Sequence, residues 1–130
     1  MKTIFLVAAV AIVAVFPPTL ALADGDAVAG KTVFNKCKAC HDAVAETKKI
    51  GPHLVGIVGR ATASVEGFAY SDAMKAKGAE GQIWTEENIV AYLKAPKEFV
   101  PGNKMPFAGL KNDAEIANLI AYLKANPKPE

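Results

Sequence analysis

Two stretches, one near each end of the chain, carry apolar residues at the i, i+3, i+4 and i+7 spacing of a single helical face. The first face comprises Gly30, Val33, Phe34 and Cys37, and the second comprises Ile116, Leu119, Ile120 and Leu123. Asp26 is the expected N-cap of the first helix. Asp113 is the expected cap of the second helix, and Pro127 lies beyond its end. The pattern predicts a helix at each end of the folded domain.

Between these helices the chain predicts two shorter helices and two long loops. One helix is expected over residues 71–77, closed by Gly78, and the other over 85–93. A further turn is expected over 97–100. The loops, which cover 50–59 and 101–109, are rich in glycine and proline and lack the alternation of a strand. We therefore predict an all-α domain whose loops need a large, flat, apolar ligand to pack against.

The N-terminal segment has the composition of an export signal. It combines the positive Lys2, an apolar run over 4–16 and a small-x-small sequence over 21–23. The run is shorter than the roughly 20 residues of a membrane-spanning helix. We predict a cleaved signal peptide over 1–23 and one folded domain over 24–130. The alternative is an uncleaved anchor, which two consecutive prolines disfavour.

Charge adds little to this picture. The whole chain has 15 basic and 13 acidic residues, a net charge of +2. Lys2 is the only charged residue of the predicted signal, so the remaining domain is closer still to neutrality. A balance of this kind does not favour a nucleic acid as partner.

The sequence Cys37-Lys38-Ala39-Cys40-His41 is the c-type haem attachment pattern. Residues three apart on a helical turn lie on one face, about 5–6 Å between Cβ atoms, so two thiols can reach the two vinyl groups of one porphyrin edge. The next residue, His41, projects its imidazole toward the iron. Attachment of c-type haem outside the cytoplasm agrees with export.

Three other interpretations of the cysteines are weaker. A thioredoxin-like dithiol requires a βαβ context, and no strand pattern precedes Cys37. A structural zinc site requires four ligands, which His53 and the adjacent pair Cys40 and His41 cannot readily provide. A disulfide would leave His41 unexplained.

The sixth ligand of the iron separates an electron carrier from a haem enzyme. Met105 stands in the loop 101–109, where the backbone can approach the haem, and a thioether ligand raises the reduction potential. Met74 lies in a predicted helix, where methionine commonly fills the core. His53 lies among glycines as a polar loop residue. We predict His41 and Met105 as the axial ligands.

The mature sequence resembles the class I cytochromes c, the group of mitochondrial cytochrome c and bacterial cytochrome c2, over nearly its whole length. Besides the haem motif, the matching segments are Gly51-Pro52, Gly59-Arg60, Gly67-Phe68-Ala69-Tyr70, Trp84, Tyr92-Leu93, Pro101-Gly102-Asn103-Lys104-Met105, Phe107-Ala108-Gly109 and Leu119-Ile120-Ala121-Tyr122-Leu123. The resemblance implies the cytochrome c fold, in which short helices and loops wrap one covalently bound haem and the terminal helices cross.

The resemblance also implies roles for five residues around the haem, namely Pro52, Arg60, Tyr70, Trp84 and Tyr92. The carbonyl of Pro52 would accept the ring N–H of His41. Arg60, Tyr70 and Trp84 would hold a haem propionate, and Tyr92 would lie near the Met105 sulfur. Gly30 would allow the terminal helices to cross closely. For the aromatic residues, ordinary core packing is the alternative.

Some positions depart from the mitochondrial pattern. Met74 replaces an asparagine of a buried polar network, and Asn103 replaces a threonine. The segment between Tyr70 and Trp84 is longer by about three residues. These differences indicate a bacterial member of the group.

Six lysines are expected to frame the haem edge, and acidic residues gather at the two termini. The lysines are Lys36, Lys38, Lys49, Lys97, Lys104 and Lys111, and the acidic residues are Asp24, Asp26, Asp113, Glu115 and Glu130. A positive face of this kind would speed encounter with an acidic partner. The alternative is that the lysines only solvate the domain.

The sequence therefore predicts a soluble, monomeric, bacterial periplasmic electron carrier with one haem c, and not an enzyme. Its partners would be membrane redox complexes or periplasmic dehydrogenases with acidic docking faces, in a respiratory or photosynthetic chain. No nucleic acid and no stable membrane insertion after cleavage are expected. Two alternatives stay open, a fixed subunit of a dehydrogenase and a haem enzyme or sensor with a labile sixth ligand.

Overall fold

The computed structural model describes residues 24–130, and the predicted signal peptide over 1–23 lies outside the described residues. Five helices follow in order: α1 Ala27–Phe34, α2 Asp72–Ala79, α3 Glu86–Lys94, α4 Pro96–Phe99 and α5 Asp113–Lys124. Within 24–130 the only extended pairing is an isolated antiparallel bridge between Ala61 and Ile83. The predicted all-α class is confirmed.

The ends of the helices follow their capping residues. As predicted, Asp26 caps α1, because its carboxylate accepts hydrogen bonds from the backbone N–H groups of Val28 and Ala29 at 2.8 and 3.1 Å. The prediction for α5 was wrong by one residue. Asn112 caps that helix through its side-chain oxygen, and Asp113 is the first helical residue. Either side chain can cap a helix, so composition alone does not choose between them.

Helix α2 also differs from its prediction. It begins one residue later, with Ser71 as its cap, and continues through Gly78 to Ala79. A single interior glycine costs a helix about 1 kcal/mol relative to alanine, which does not end it here. Helix α3 begins after its cap Thr85, and the expected turn at 97–100 is the short helix α4.

Helices α1 and α5 cross in direct contact, as the resemblance implies. The phenyl ring of Phe34 packs on the Tyr122 ring at 5.3 Å between centroids. The backbone N–H of Asp26 donates to the Asn118 side-chain oxygen at 2.8 Å. A Cβ added to Gly30 would lie 1.9 Å from the Asn118 carbonyl oxygen. Only glycine allows the two backbones to approach this closely.

We expect Gly30→Ala to lower the free energy of unfolding by at least ~3 kcal/mol, because the added methyl group overlaps a backbone oxygen that cannot move alone. Chemical denaturation with tryptophan fluorescence measures this change. Thr32→Ala, at an exposed site of the same helix, is the matched control and should change stability by less than ~0.5 kcal/mol. Equal stability of the two variants would contradict the crossing.

The core joins these terminal helices to the middle of the chain. Ile116 and Leu119 of α5 are almost fully buried, as are Pro96, the first residue of α4, and Val100, which follows that helix. Trp84 and Ile89 extend the buried cluster toward α3. Among residues 24–130 no helix is both long enough and apolar enough to cross a membrane.

Candidate functional site

The two cysteines lie on the turn that follows α1. Backbone N–H groups of Cys40 and His41 both donate to the Cys37 carbonyl, at 3.1 and 2.9 Å. This turn places both cysteines and His41 within a single loop of backbone. Both thiols are free and only partly buried. They are therefore available to react with one ligand at one place.

The Cys37 thiol is held in its neutral form. Burial raises its pKa, and the charge of Lys36 opposes that effect without cancelling it. A thiol that stays protonated at neutral pH is a weak nucleophile in thiol–disulfide exchange. The environment of Cys37 therefore does not favour a redox dithiol.

His41 is oriented by the loop that follows it. Its Nδ1 atom lies 2.7 Å from the Pro52 carbonyl oxygen, and since a carbonyl can only accept, Nδ1 carries the proton. The lone pair is then on Nε2, the atom a metal would bind. Burial lowers the His41 pKa, which keeps the ring neutral. A Cβ added to Gly51 would lie 2.4 Å from the imidazole, so this glycine makes room for the ring.

The Met105 sulfur is held by a neighbouring tyrosine and by its own loop. The Tyr92 hydroxyl donates to the sulfur at 3.8 Å. The backbone N–H of Met105 donates to the Asn103 side-chain oxygen at 2.9 Å. The Asn103 amide in turn donates to the carbonyls of Pro96 and Val100, both at 2.9 Å.

This positioning role of Asn103 was missed at the sequence level, where the residue was noted only as a replacement for threonine. Its three contacts join the loop 101–109 to α4. One sequence signal could have indicated this role. Asn103 follows Gly102, a pair typical of a turn, and lies two residues before the candidate ligand Met105.

Tyr92 lies among aromatic rings. Its centroid is 5.0 Å from that of Trp84 and 6.2 Å from that of Phe99. Burial raises the pKa of the Tyr92 hydroxyl to about 12. The hydroxyl therefore stays protonated and remains a donor to Met105 throughout the neutral range.

We expect Tyr92→Phe to reduce the loss of stability in alkali. Folded Tyr92 keeps its proton up to about pH 12, whereas an unfolded tyrosine releases it near pH 10. The free energy of unfolding of the wild-type protein therefore falls as pH rises between these values, by up to ~1.4 kcal/mol per pH unit. Denaturant titrations of the wild-type protein and of Tyr92→Phe at about pH 9, 10 and 11 measure the difference, since an unfolded tyrosine begins to ionise in this range. Parallel curves for both proteins would contradict the burial of this hydroxyl.

Arg60 and Trp84 are brought side by side by the antiparallel bridge. The backbone N–H of Trp84 donates to the Arg60 carbonyl at 2.9 Å, and Gly59 returns a bond to the Trp84 carbonyl at 2.7 Å. The Arg60 guanidinium donates to the carbonyls of Val55 and His53, each at 3.0 Å. Its buried Nε atom has no partner within the described part of the chain. The Nε–H group of Arg60 can therefore donate to a further acceptor.

Tyr70 lies in the same region, with its hydroxyl accepting from the Val65 backbone at 3.0 Å. The hydroxyl proton is left free for a second partner. Of the other candidate ligands, Met74 packs against the core from α2. His53 is bound to its own loop, where Nδ1 accepts from the Val55 N–H at 3.2 Å.

All six lysines of the expected docking face are exposed, namely Lys36, Lys38, Lys49, Lys97, Lys104 and Lys111. Their predicted separation from the acidic residues is not complete. Lys36 forms an ion pair with Glu115 at 3.3 Å, because the crossing of α1 and α5 brings the start of α5 to the end of α1. Lys49 donates to the Lys38 carbonyl, and Lys111 donates to the Lys94 carbonyl at 2.9 Å.

Comparison with known proteins agrees with this arrangement. Residues 27–127 match the family model described as Cytochrome c. Cytochrome c-550 of Nitrobacter winogradskyi is 53% identical over 100 residues, which span 76% of this chain and 89% of that protein. Cytochrome c2 of Agrobacterium tumefaciens is 44% identical over 110 residues, 82% of this chain and 98% of that protein. The solved structure of cytochrome cH from Methylobacterium extorquens is similar with a TM-score of 0.70, at 40% identity, over 77% of this chain and 98% of that chain.

Proposed function

Since the chain belongs to the cytochrome c family, carries one covalently attached haem c and transfers electrons without being an enzyme, we propose that it is a bacterial periplasmic shuttle. In this role it moves one electron at a time between larger redox complexes. The observation that carries the proposal is that the chain fixes the orientation of an imidazole and of a thioether, His41 through the Pro52 carbonyl and Met105 through the Tyr92 hydroxyl. Both are the ligand types of an electron-transfer haem.

The attachment turn fits a covalent haem. Cys37 and Cys40 would each form a thioether from one vinyl group, and their common turn supplies both sulfurs to one edge of the ring. His41 would bind iron through Nε2, because the Pro52 carbonyl occupies Nδ1. That carbonyl also makes the imidazole a stronger donor.

Met105 would close the second axial position. Asn103 fixes the backbone of this residue, and Tyr92 fixes its sulfur. The haem iron, when bound, supplies a one-electron ferrous/ferric couple. As an iron ligand, the held thioether of Met105 would disfavour the binding of small ligands and would raise the reduction potential.

Arg60, Tyr70 and Trp84 would hold a haem propionate. The support for this is the buried, unpartnered Nε of Arg60, because a buried charged donor without an acceptor is costly. A carboxylate is the acceptor that suits a guanidinium best. Tyr70 retains a hydroxyl proton for the same group.

The exposed lysines would dock partners with acidic faces, such as membrane redox complexes or periplasmic dehydrogenases. We expect Lys104→Gln to slow oxidation of the reduced protein by membranes of an aerobic bacterium severalfold at low ionic strength. The difference should shrink as salt rises, since exposed charges are screened. Lys31→Gln is the matched control, an exposed lysine on α1 outside the expected face. Equal slowing by both variants would contradict a localised face.

The proposed function is tested directly on the purified holoprotein. A potentiometric titration should follow a one-electron curve, and the oxidised spectrum should contain an Fe–S charge-transfer band. Cyanide at modest concentration should not bind. An oxidised spectrum without that band, together with ready cyanide binding, would replace the shuttle by a haem enzyme or sensor with an open sixth position.

A further inference from the structure

The loop 101–109, which carries Met105, is tied to neighbouring helices at both of its ends. Near its start, the Asn103 side chain donates to two backbone carbonyls, one at the first residue of α4 and one just after that helix, both at 2.9 Å. Just after its end, the backbone N–H of the buried Leu110 donates to the Leu93 carbonyl of α3 at 2.7 Å. Met105 therefore lies on a segment that is fixed on either side of it.

Lys111 supplies a second bond at the far end of this loop. Its ammonium group donates to the Lys94 carbonyl at 2.9 Å and lies 3.5 Å from the Ala108 carbonyl oxygen. Lys94 is the last residue of α3, so its carbonyl is one of the terminal acceptors that have no partner inside the helix. These carbonyls are the negative end of the helix dipole, where a lysine ammonium is a favourable donor. Lys111 therefore caps α3 from a separate segment of the chain.

Gly109 allows the end of the loop to come this close to α3. A Cβ added to Gly109 would lie 2.4 Å from the Lys94 carbonyl oxygen and 3.0 Å from that of Leu93, and the φ angle of the glycine is +113°. Tyr92, whose hydroxyl donates to the Met105 sulfur, directly precedes these two residues in α3. The helical turn that holds the sulfur thus also binds the end of the loop that carries it.

We propose that Lys111 is a positioning residue for Met105. By capping α3 it keeps the loop 101–109 closed, and so it sets how readily another ligand can replace the thioether. The inference rests on the proposed function, in which Met105 binds iron. The bond from Lys111 stabilises the closed loop and not the open one. Its loss therefore raises the population of the open loop, and with it the apparent affinity for a competing ligand.

A second contact at this end of α3 does not involve the loop. The Lys94 ammonium forms an ion pair with Asp113, the first residue of α5, at 2.8 Å. Both side chains are exposed, and exposed ion pairs contribute little to stability. Asp113→Asn is therefore a matched control in the same place, because it removes the ion pair of Lys94 and keeps the bond from Lys111 to the Lys94 carbonyl.

The test measures the affinity of the oxidised holoprotein for added imidazole, which is followed by loss of the Fe–S charge-transfer band. Lys111→Ala should bind imidazole ~2- to 10-fold more tightly than the wild-type protein, the factor that corresponds to one hydrogen bond of ordinary strength. Lys111→Arg keeps a positively charged donor and should restore most of the wild-type affinity. Asp113→Asn should leave the affinity unchanged. So should Lys31→Ala, which removes the same charge from an exposed site on α1.

Amide hydrogen exchange separates a local opening of the loop from a general loss of stability. In Lys111→Ala the Leu110 N–H should exchange faster, because it lies beside the bond that is lost. The N–H of Leu119, in the buried face of α5, should keep its wild-type rate, since local openings leave the rest of the core closed. Equal acceleration at both positions would overturn the proposal, because it would report a change in overall stability only.

Unchanged imidazole affinity in Lys111→Ala would also overturn the proposal. An equal increase in Lys31→Ala or in Asp113→Asn would do so too, since it would assign the effect to surface charge rather than to the capping bond. Each of these results, with the Fe–S band present in the wild-type protein, leaves the electron-transfer function standing. Absence of the band in the wild-type protein contradicts that function itself.

Discussion

A Cys37→Ala, Cys40→Ala double variant is expected to lose the sharp thermal unfolding of the holoprotein. Without a covalent haem, the loops over 50–59 and 101–109 have no large apolar partner. Helix α2 contributes no fully buried side chain. What remains is the contact of α1 with α5 and the cluster around α3. A core of this size is marginal for a domain of about 100 residues, so we expect a broad, weakly cooperative transition.

Circular dichroism during heating measures this effect. Ala39→Ser, between the two cysteines and exposed, is the control for local disturbance of the turn and should keep both the haem and the sharp transition. A double variant that is colourless but melts cooperatively near the wild-type temperature would refute the dependence of the fold on its cofactor.

Met105→Ala is expected to convert the closed haem to an open one. The variant should lose the Fe–S charge-transfer band and bind cyanide readily. Its reduction potential should fall by more than ~0.1 V, since axial ligands set haem potentials over a range of about 0.8 V. The free energy of unfolding should fall by about 2 kcal/mol, the low end of the cost of truncating a methionine, because Met105 is only partly buried.

Met74→Leu provides the matched control, because Met74 is the other methionine of residues 24–130 and packs against the core. An exchange of nearly equal volume costs less than ~1.5 kcal/mol and should leave the band and the potential almost unchanged. The opposite result, with the band lost in Met74→Leu and kept in Met105→Ala, would identify Met74 of α2 as the sixth ligand.

The helices at the chain ends could be predicted because their information is local. Apolar residues repeat at helical spacing along α1 and along α5, and the residues of these two faces are the ones that each helix buries. The boundaries were less certain, since Asn112 and Asp113 are both competent caps and only the path of the preceding loop selects between them. The resemblance to class I cytochromes c, which implied the crossing, is confirmed by the family match.

The haem motif could likewise be predicted from one short segment. Contacts between residues that are distant in the sequence could not. The ion pair of Lys36 with Glu115 joins residues 79 apart. The residues around Lys36 in the sequence do not predict Glu115 as its partner, and those around Glu115 do not predict Lys36. The same holds for Gln82, whose side chain donates to Thr62 at 3.2 Å. His53 and Arg60 are close in sequence, yet their contact depends on a loop geometry that glycine-rich composition leaves undetermined.

The hydrogen bond from Asp26 to Asn118 has a consequence for the order of events during biosynthesis. It joins residues 92 apart, and closing so long a segment costs about 4 kcal/mol of chain entropy. A polypeptide always emerges with its N-terminus first, so α1 lacks this partner until residue 118 has been synthesised. The turn that carries both thiols, at residues 37–41, is therefore synthesised long before the helix crossing beside it can form.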